Sequence, residues 1–191
     1  ALDYYASIFG SYPYPEFKVV FVPMQGFRGM EYSGMIFLQE EFLQPASDPG
    51  YGEFILAHEI AHQWWYGMVG NDQLKEPWLD EGLANWSANK YLSKNRGREI
   101  PDAGEFKNGV NLDRSLADMY SQPEYYRTAY TGGEAFWLGL EKELGGEEAV
   151  FKVLRKYLAD YRYCIATTRD LCRVIKEESR QDISKYLSQW F

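Results

Sequence analysis

Histidine is nearly missing from this chain: there are 2 in 191 residues, His58 and His62. Cysteine is as scarce, with only Cys164 and Cys172. Two cysteines do not make a disulfide framework, and neither stands near the histidines, so they read as core or surface thiols. A basic excess is lacking too. Lys and Arg number 20 against 28 Asp and Glu, for a net charge of −8, which excludes the cation clusters that nucleic-acid phosphates require. No apolar run approaches the length of a membrane span. The opening residues, ALDYYASIFG, have no basic n-region and no uninterrupted apolar core, so they are not a signal peptide. They also lack an initiator Met and begin inside an amphipathic helical pattern, which reads as a piece excised from a longer chain. Compartment stays open, with a soluble, cytoplasmic place slightly favoured. Repeats and low-complexity tracts are missing as well.

What is present suits one domain with a real core. Hydrophobic residues make up 46% and aromatics 17%, with 16 Tyr and 6 Trp, a composition that disfavours disorder. A helix fits residues 2–10, ended by Gly10. Phe17 to Val22, β-branched and aromatic between prolines, reads as a buried strand, and Met35 to Gln39 as a second. The glycine-punctuated QGFRGMEYSG joins them. A loop over 45–52 leads to a helix from about Glu53 to Tyr66, broken by Gly67 and Gly70. A second helix starts near Pro77, a residue favoured in a first helical turn, and runs to about Ser93. A polar loop over 94–104 and a weakly patterned helix over 105–120 follow, with a break at Pro123. Phe136, Trp137, Leu140 and Leu144 have helical spacing, closed by Gly145-Gly146. Val150, Phe151, Leu154, Tyr157 and Leu158 repeat it. Thr167 with Asp170 is a capping box opening a helix over 168–179, and a last helix covers about 183–190. Strands come first and helices after, so the fold class is α+β with helices dominant. The single domain, 1–191, divides into a small β-containing part (about 1–50) and a helical part (about 51–191).

Both histidines lie in one pattern, H-E-x-x-H: His58, Glu59, His62. On a helix, residues four apart share a face, so two imidazoles can bind one metal ion with the glutamate close to whatever the metal holds. Glu81 follows His62 after 18 residues and supplies a third ligand. Two His, one Glu and an open position make a catalytic zinc set. One zinc so held polarises a carbonyl and lowers the pKa of a bound water toward about 7. Glu59 then serves as general base toward the attacking water and proton donor to the leaving amine. The tetrahedral oxyanion needs a further donor, and composition alone does not choose among 16 tyrosines. Asn85, one turn past Glu81, reads equally as support for a ligand or as a surface residue. Trp64-Trp65-Tyr66 reads as core packing.

HEIAHQWW followed by WLDEGLA resembles the gluzincin zinc aminopeptidases, relatives of alanyl aminopeptidase and leukotriene hydrolase. That family's pattern is H-E-x-x-H, 18 residues, then Glu within W-L-N-E-G, and Asp80 stands here where Asn is usual. Its upstream G-x-M-E-N motif is matched by RGMEY at Met30 and Glu31. The resemblance implies a thermolysin-like catalytic domain. It also implies that Glu31 binds the substrate's free α-amine and that the backbone around Gly29 and Met30 pairs with the peptide. The family's transition-state tyrosine, in Y-x-K-G, falls on Tyr130 of Tyr130-Thr131-Gly132-Gly133, without the lysine. The expected substrates are peptides with a free N-terminus, cut at the first peptide bond. The family's β-rich N-terminal and helical C-terminal domains are expected as flanking domains of the parent protein. Two other readings stand beside this one: a zinc endopeptidase or other hydrolase with an open cleft, and a non-catalytic scaffold that kept the fold.

Overall fold

The computed structural model of the chain describes residues 1–45, 47–100, 110–179 and 181–191. Helix α1 (Leu2–Phe9) ends at Gly10, which lies at φ +126° where side-chain-bearing residues are strained. The Tyr5 hydroxyl donates to the Ala57 carbonyl (3.0 Å), and the Trp64 indole donates to the Gly10 carbonyl (2.9 Å). These two bonds fasten α1 to the segment that carries the histidines.

A three-stranded sheet follows, in the order β1-β3-β2. β1 (Lys18–Val22) runs parallel to β3 (Met35–Gln39), and β2 (Gly29–Tyr32) runs antiparallel to it. β2 and β3 form a hairpin over Ser33-Gly34, with Gly34 at φ +78°. β3 has the predicted limits and carries the buried Ile36 and Leu38. β1 departs from expectation. It is an edge strand with Val19 and Phe21 about two-fifths exposed, because β-branched and aromatic residues signal a pleated backbone rather than burial. β2 arises from the glycine-punctuated stretch that the sequence left unassigned. Its other edge is unpaired within the sheet.

Helix α2 (Pro49–Ala61) begins ahead of Glu53 because Asp48 caps it, accepting from the Gly50 and Tyr51 amides, with proline in the first turn. It stops at Ala61, short of the expected Tyr66. Gln63, Trp64 and Trp65, just beyond it, are all buried. The backbone instead tightens, with Gln63 N–H donating to Ile60 O and Trp64 N–H to Ala61 O, and passes through Tyr66 at φ 152°. It then reaches β4 (Val69–Gly70), a two-residue strand.

Helix α3 (Trp78–Arg96), closed by left-handed Gly97, is buried over most of its length. Part of the expected loop 94–104 and helix 105–120 lies outside the described residues. Within them, α3 extends through Arg96 and the only helical turn before residue 120 is a 3-10 turn, Leu116–Asp118. Pro123 opens helix α4 (Gln122–Tyr125) rather than breaking one, since Ser121 caps it and proline fits the first turn. A π-helix over Tyr126–Gly132 continues into α5 (Gly133–Leu144). α6 (Glu147–Tyr161), strand β5 (Cys164–Ile165) parallel to β4, α7 (Thr168–Ser179) and α8 (Ser184–Leu187) complete the chain. The Thr167–Asp170 capping box forms in both directions, at 3.0 and 3.3 Å. The molecule is helix-dominated α+β, as the sequence predicts.

All six tryptophans are buried, and α3 packs between α2 and α5. A Cβ on Gly82 would come within 2.6 Å of Gly133 Cα, so these two glycines let α3 and the start of α5 approach closely. Both cysteines are free, Cys164 exposed and Cys172 half-buried. Among the described residues no helix is long and apolar enough to cross a membrane.

Candidate active site

α2 and α3 bring His58, His62 and Glu81 together: their ligating atoms all lie within 4.8 Å of one another. His58 sits in the last turn of α2 and His62 one turn on, as the helix's C-cap, with Glu81 on the first turn of α3. Second contacts fix both rings. Asn85 Oδ1 accepts from His58 Nδ1 (2.9 Å), and the Trp65 carbonyl accepts from His62 Nδ1 (3.0 Å). With those tautomers each Nε2 presents a lone pair. The two Nε2 atoms face one another at 3.1 Å, and Glu81 Oε2 lies 3.1 Å from His58 Nε2 and 3.5 Å from His62 Nε2. Converging lone pairs from two imidazoles and a carboxylate fit a cation, and this donor set suits zinc. Asn85, which the sequence left between support and surface, is buried and holds a ring.

The electrostatics agree. Burial opposes a charged His62, but the surrounding carboxylates of Glu31, Glu81 and Glu59 outweigh it and raise its pKa well above the ordinary value. Burial likewise works against an ionised Glu81, yet the two histidines beside it pull its pKa below the usual carboxylate range. The site is built for positive charge.

Glu59 is buried, and its Oε2 has no hydrogen-bond partner among the described residues. Burial, with Glu31 and Glu81 nearby and His62 opposing, raises its pKa to about 8. β2 passes directly over it: a Cβ at Gly29 would collide with the Glu59 carboxyl group. Gln63 holds the hairpin in that position. Its Oε1 accepts from Gly34 N–H (2.8 Å) and its Nε2 donates to the Tyr32 carbonyl (2.9 Å). Gly29, Met30 and Glu31 thus lie on β2 beside the histidines, with the strand's unpaired edge open.

Tyr130, within the π-helix, stacks its ring on His58 (5.8 Å between centroids, 12° between planes) and donates its hydroxyl to Glu81 Oε1 (2.6 Å). Burial first, and the Glu81 charge next, push its pKa up, so it remains a proton-bearing donor. Tyr125, which no sequence signal singled out, reaches the same Oε1 at 3.5 Å. A cleft of about 290 Å³ opens beside these groups, lined by Gly29, His58, Glu59 and Tyr130 and by the aromatic rings of Tyr51, Phe54 and Tyr126. Glu31 is half-buried and accepts from Gln73 Nε2 (2.9 Å). The structure therefore brings all the predicted site residues to one place. Gln63, Gln73, Asp80 and Tyr125 join them unannounced. A helical-phase argument could have indicated Gln63, adjacent to His62, but the others come from loop and tertiary geometry.

Comparison with known proteins agrees with this geometry. The model of the peptidase family M1 domain matches residues 1–190. Aminopeptidase M1-B of Oryza sativa subsp. japonica is 28% identical over 98% of this chain and 23% of its own length. Tricorn protease-interacting factor F2 of Thermoplasma acidophilum is 26% identical over 100% of this chain and 27% of its own length. The chain spans about a quarter of the length of these relatives. The crystal structure of the M1 zinc metallopeptidase from Deinococcus radiodurans superimposes with a TM-score of 0.74, at 19% identity, covering 93% of this chain and 39% of that one. That likeness shows the shared fold. With the family model covering nearly every residue, the chain belongs to peptidase family M1.

Proposed function

We propose that this domain is the catalytic domain of a zinc aminopeptidase that removes the first residue from peptides with a free N-terminus. The observation that carries this reading is the pairing of two carboxylates at fixed places beside one ligand set. Glu59 lies under β2 next to His58 and His62 with a free oxygen, and Glu31 lies further along β2. One suits proton transfer and the other suits an ammonium group.

His58, His62 and Glu81 would hold one zinc ion, which when bound supplies Lewis acidity and a water of lowered pKa. Everything else falls to the chain. Glu59 takes the proton from the attacking water and delivers it to the leaving amine nitrogen. Tyr130 donates its hydroxyl to the oxyanion as negative charge develops there. The open edge of β2 around Gly29 and Met30 hydrogen-bonds the substrate backbone, and Glu31 grips the α-ammonium. A carboxylate fixed at that place limits cleavage to the first peptide bond, because only a substrate with an ammonium there gains the binding interaction, in the bound state and in the transition state alike.

Paired substrates test the reading. The zinc-loaded protein should hydrolyse free aminoacyl fluorogenic amides and leave their N-acetylated counterparts intact. Equal cleavage of both forms would favour the open-cleft endopeptidase. No cleavage of either by full-length protein holding one zinc would favour the scaffold.

A further inference from the structure

Residues 71–76, between the two ligand-bearing helices, carry no part of the zinc motif, yet they form a tightly held turn. Asp72 Oδ1 accepts from the Leu74 and Lys75 amides (both 3.2 Å), and Glu76 N–H donates to the Asp72 carbonyl (2.8 Å). The turn is anchored outward at its middle and at its end. The Leu74 carbonyl accepts from Leu116 N–H (2.8 Å), and Glu76 Oε1 accepts from Thr168 N–H (2.8 Å).

From this turn Gln73 reaches β2. Its Nε2 donates to Glu31 Oε1 (2.9 Å) and to Asp80 Oδ2 (2.6 Å). Asp80 is 2% exposed, and its Oδ1 also accepts from Asn71 Nδ2 (3.1 Å) and Glu81 N–H (3.0 Å). Three donors thus converge on one acceptor-only group. An amide at position 80 would aim its own NH2 at one of them, which gives a physical reason for Asp where the family pattern has Asn. With both amide hydrogens engaged, Gln73 has one orientation. It holds Glu31 by Oε1 and leaves Oε2 for an incoming cation.

Glu31, His62 and Asp80 also lie within the 4.8 Å spacing of a metal cluster. The Gln73 amide already stands between the two carboxylates, however. His62 directs Nδ1 at the Trp65 carbonyl and Nε2 at His58 and Glu81. A second ion has no ligand set left there.

We propose that Gln73, locked in place by Asp80, is a positioning residue that orients Glu31 to receive the substrate's α-ammonium group. The proposal rests on the aminopeptidase reading. It makes the amine site a relay, Asp80 to Gln73 to Glu31, supported from the loop rather than from the strand alone.

Kinetics of the full-length, zinc-loaded protein on free aminoacyl amides test it. Gln73→Ala, and Gln73→Met, which keeps the bulk but removes the donors, should each raise KM about tenfold, the scale of one charge-assisted hydrogen bond. kcat and zinc content should change little. In a Glu31→Ala background Gln73→Ala should add nothing, and Asp80→Asn should add nothing to Gln73→Ala. Calorimetry of L-leucinamide binding to the Glu59→Gln protein should show the same weakening. An unchanged KM, or a fall in kcat and stability without a KM effect, would overturn the positioning role. Additive effects of Gln73 and Glu31 substitutions would do so too. If the unsubstituted enzyme cleaves acetylated and free amides alike, the aminopeptidase reading fails first and the relay falls with it. If it discriminates and the Gln73 variants discriminate equally well, only the relay fails.

Discussion

The site has two halves, and they are built differently. The metal-facing half consists of His58, His62, Glu81 and Asn85, on two helices that are buried and packed face to face. The half that we propose faces the substrate amine consists of Glu31 and Gln73, half-buried on a short strand and a loop and backed by the buried Asp80. Helical repeat sets His58 beside His62 in the first and the packing of α2 on α3 brings Glu81 to them, whereas the second depends on a hairpin clamped by Gln63 and a turn pinned at Leu74 and Glu76. Burial separates them too. Displacing a group in the metal half leaves a buried polar atom without a partner, while the amine half can re-solvate. The metal half should therefore fail abruptly and the amine half by degrees.

The sharpest way to break this contrast is at the point where the halves touch. Gly29 belongs to the amine strand but lies against Glu59. Gly29→Ala must push either the strand or the Glu59 carboxylate aside, and turnover should fall by about 100-fold or more with zinc retained, the scale of losing general acid–base catalysis. Steady-state kinetics beside metal analysis would check it. Beside the metal half, Tyr130→Phe should lower kcat about 100-fold, as expected for one oxyanion donor, and leave KM for free amides nearly unchanged. A loss confined to KM would instead assign Tyr130 to substrate binding.

Asn85→Ala sharpens the comparison further, since it frees His58 Nδ1 without removing a ligand. Zinc affinity should drop about tenfold or somewhat more, readable by competition with a chelator. A change well below that would mean the ring is held by packing alone.

A further buried carboxylate serves as a control. Glu134 accepts from Asn89 Nδ2 (2.5 Å), and burial, opposed by that bond and by Arg98, raises its pKa to about 7. Because the folded value lies above the unfolded one, the native state holds the extra proton. Glu134 therefore lowers stability as pH rises from about 4.5 to about 7, with no further change above that. Glu134→Gln should remove up to about 2–3 kcal/mol of that decline, seen as a smaller difference between denaturant midpoints at pH 5 and pH 8. An unaltered difference would contradict a neutral Glu134 in the folded state.

The metal half was legible in the sequence because its rule is local: His58 and His62 are four apart, and a start signal at Pro77 places Glu81 on the next helix. Tyr130 and Glu31 came from resemblance rather than periodicity, and their contacts could not be read at all. The Gln73 bridge joins residues 42 and 7 apart in sequence, through a turn whose composition reads only as polar loop. The misread segments share a cause. Residue type does not report environment: β1 has the residues of a buried strand but lies at an edge, and α2 ends at Ala61 although apolar residues continue beyond it. Which face of a strand is covered, and where a helix gives way to a turn ahead of Gln63, Trp64 and Trp65, are decided by neighbours distant in sequence.

The most direct test of the central claim, that a buried glutamate beside a preformed ligand set performs the proton transfer, is Glu59→Gln in the full-length protein. Zinc stoichiometry and hydrolysis of a free aminoacyl amide would be measured on the same sample. The account predicts one zinc per chain with turnover reduced at least about 100-fold. One zinc with turnover intact would contradict it and remove Glu59 from the chemistry.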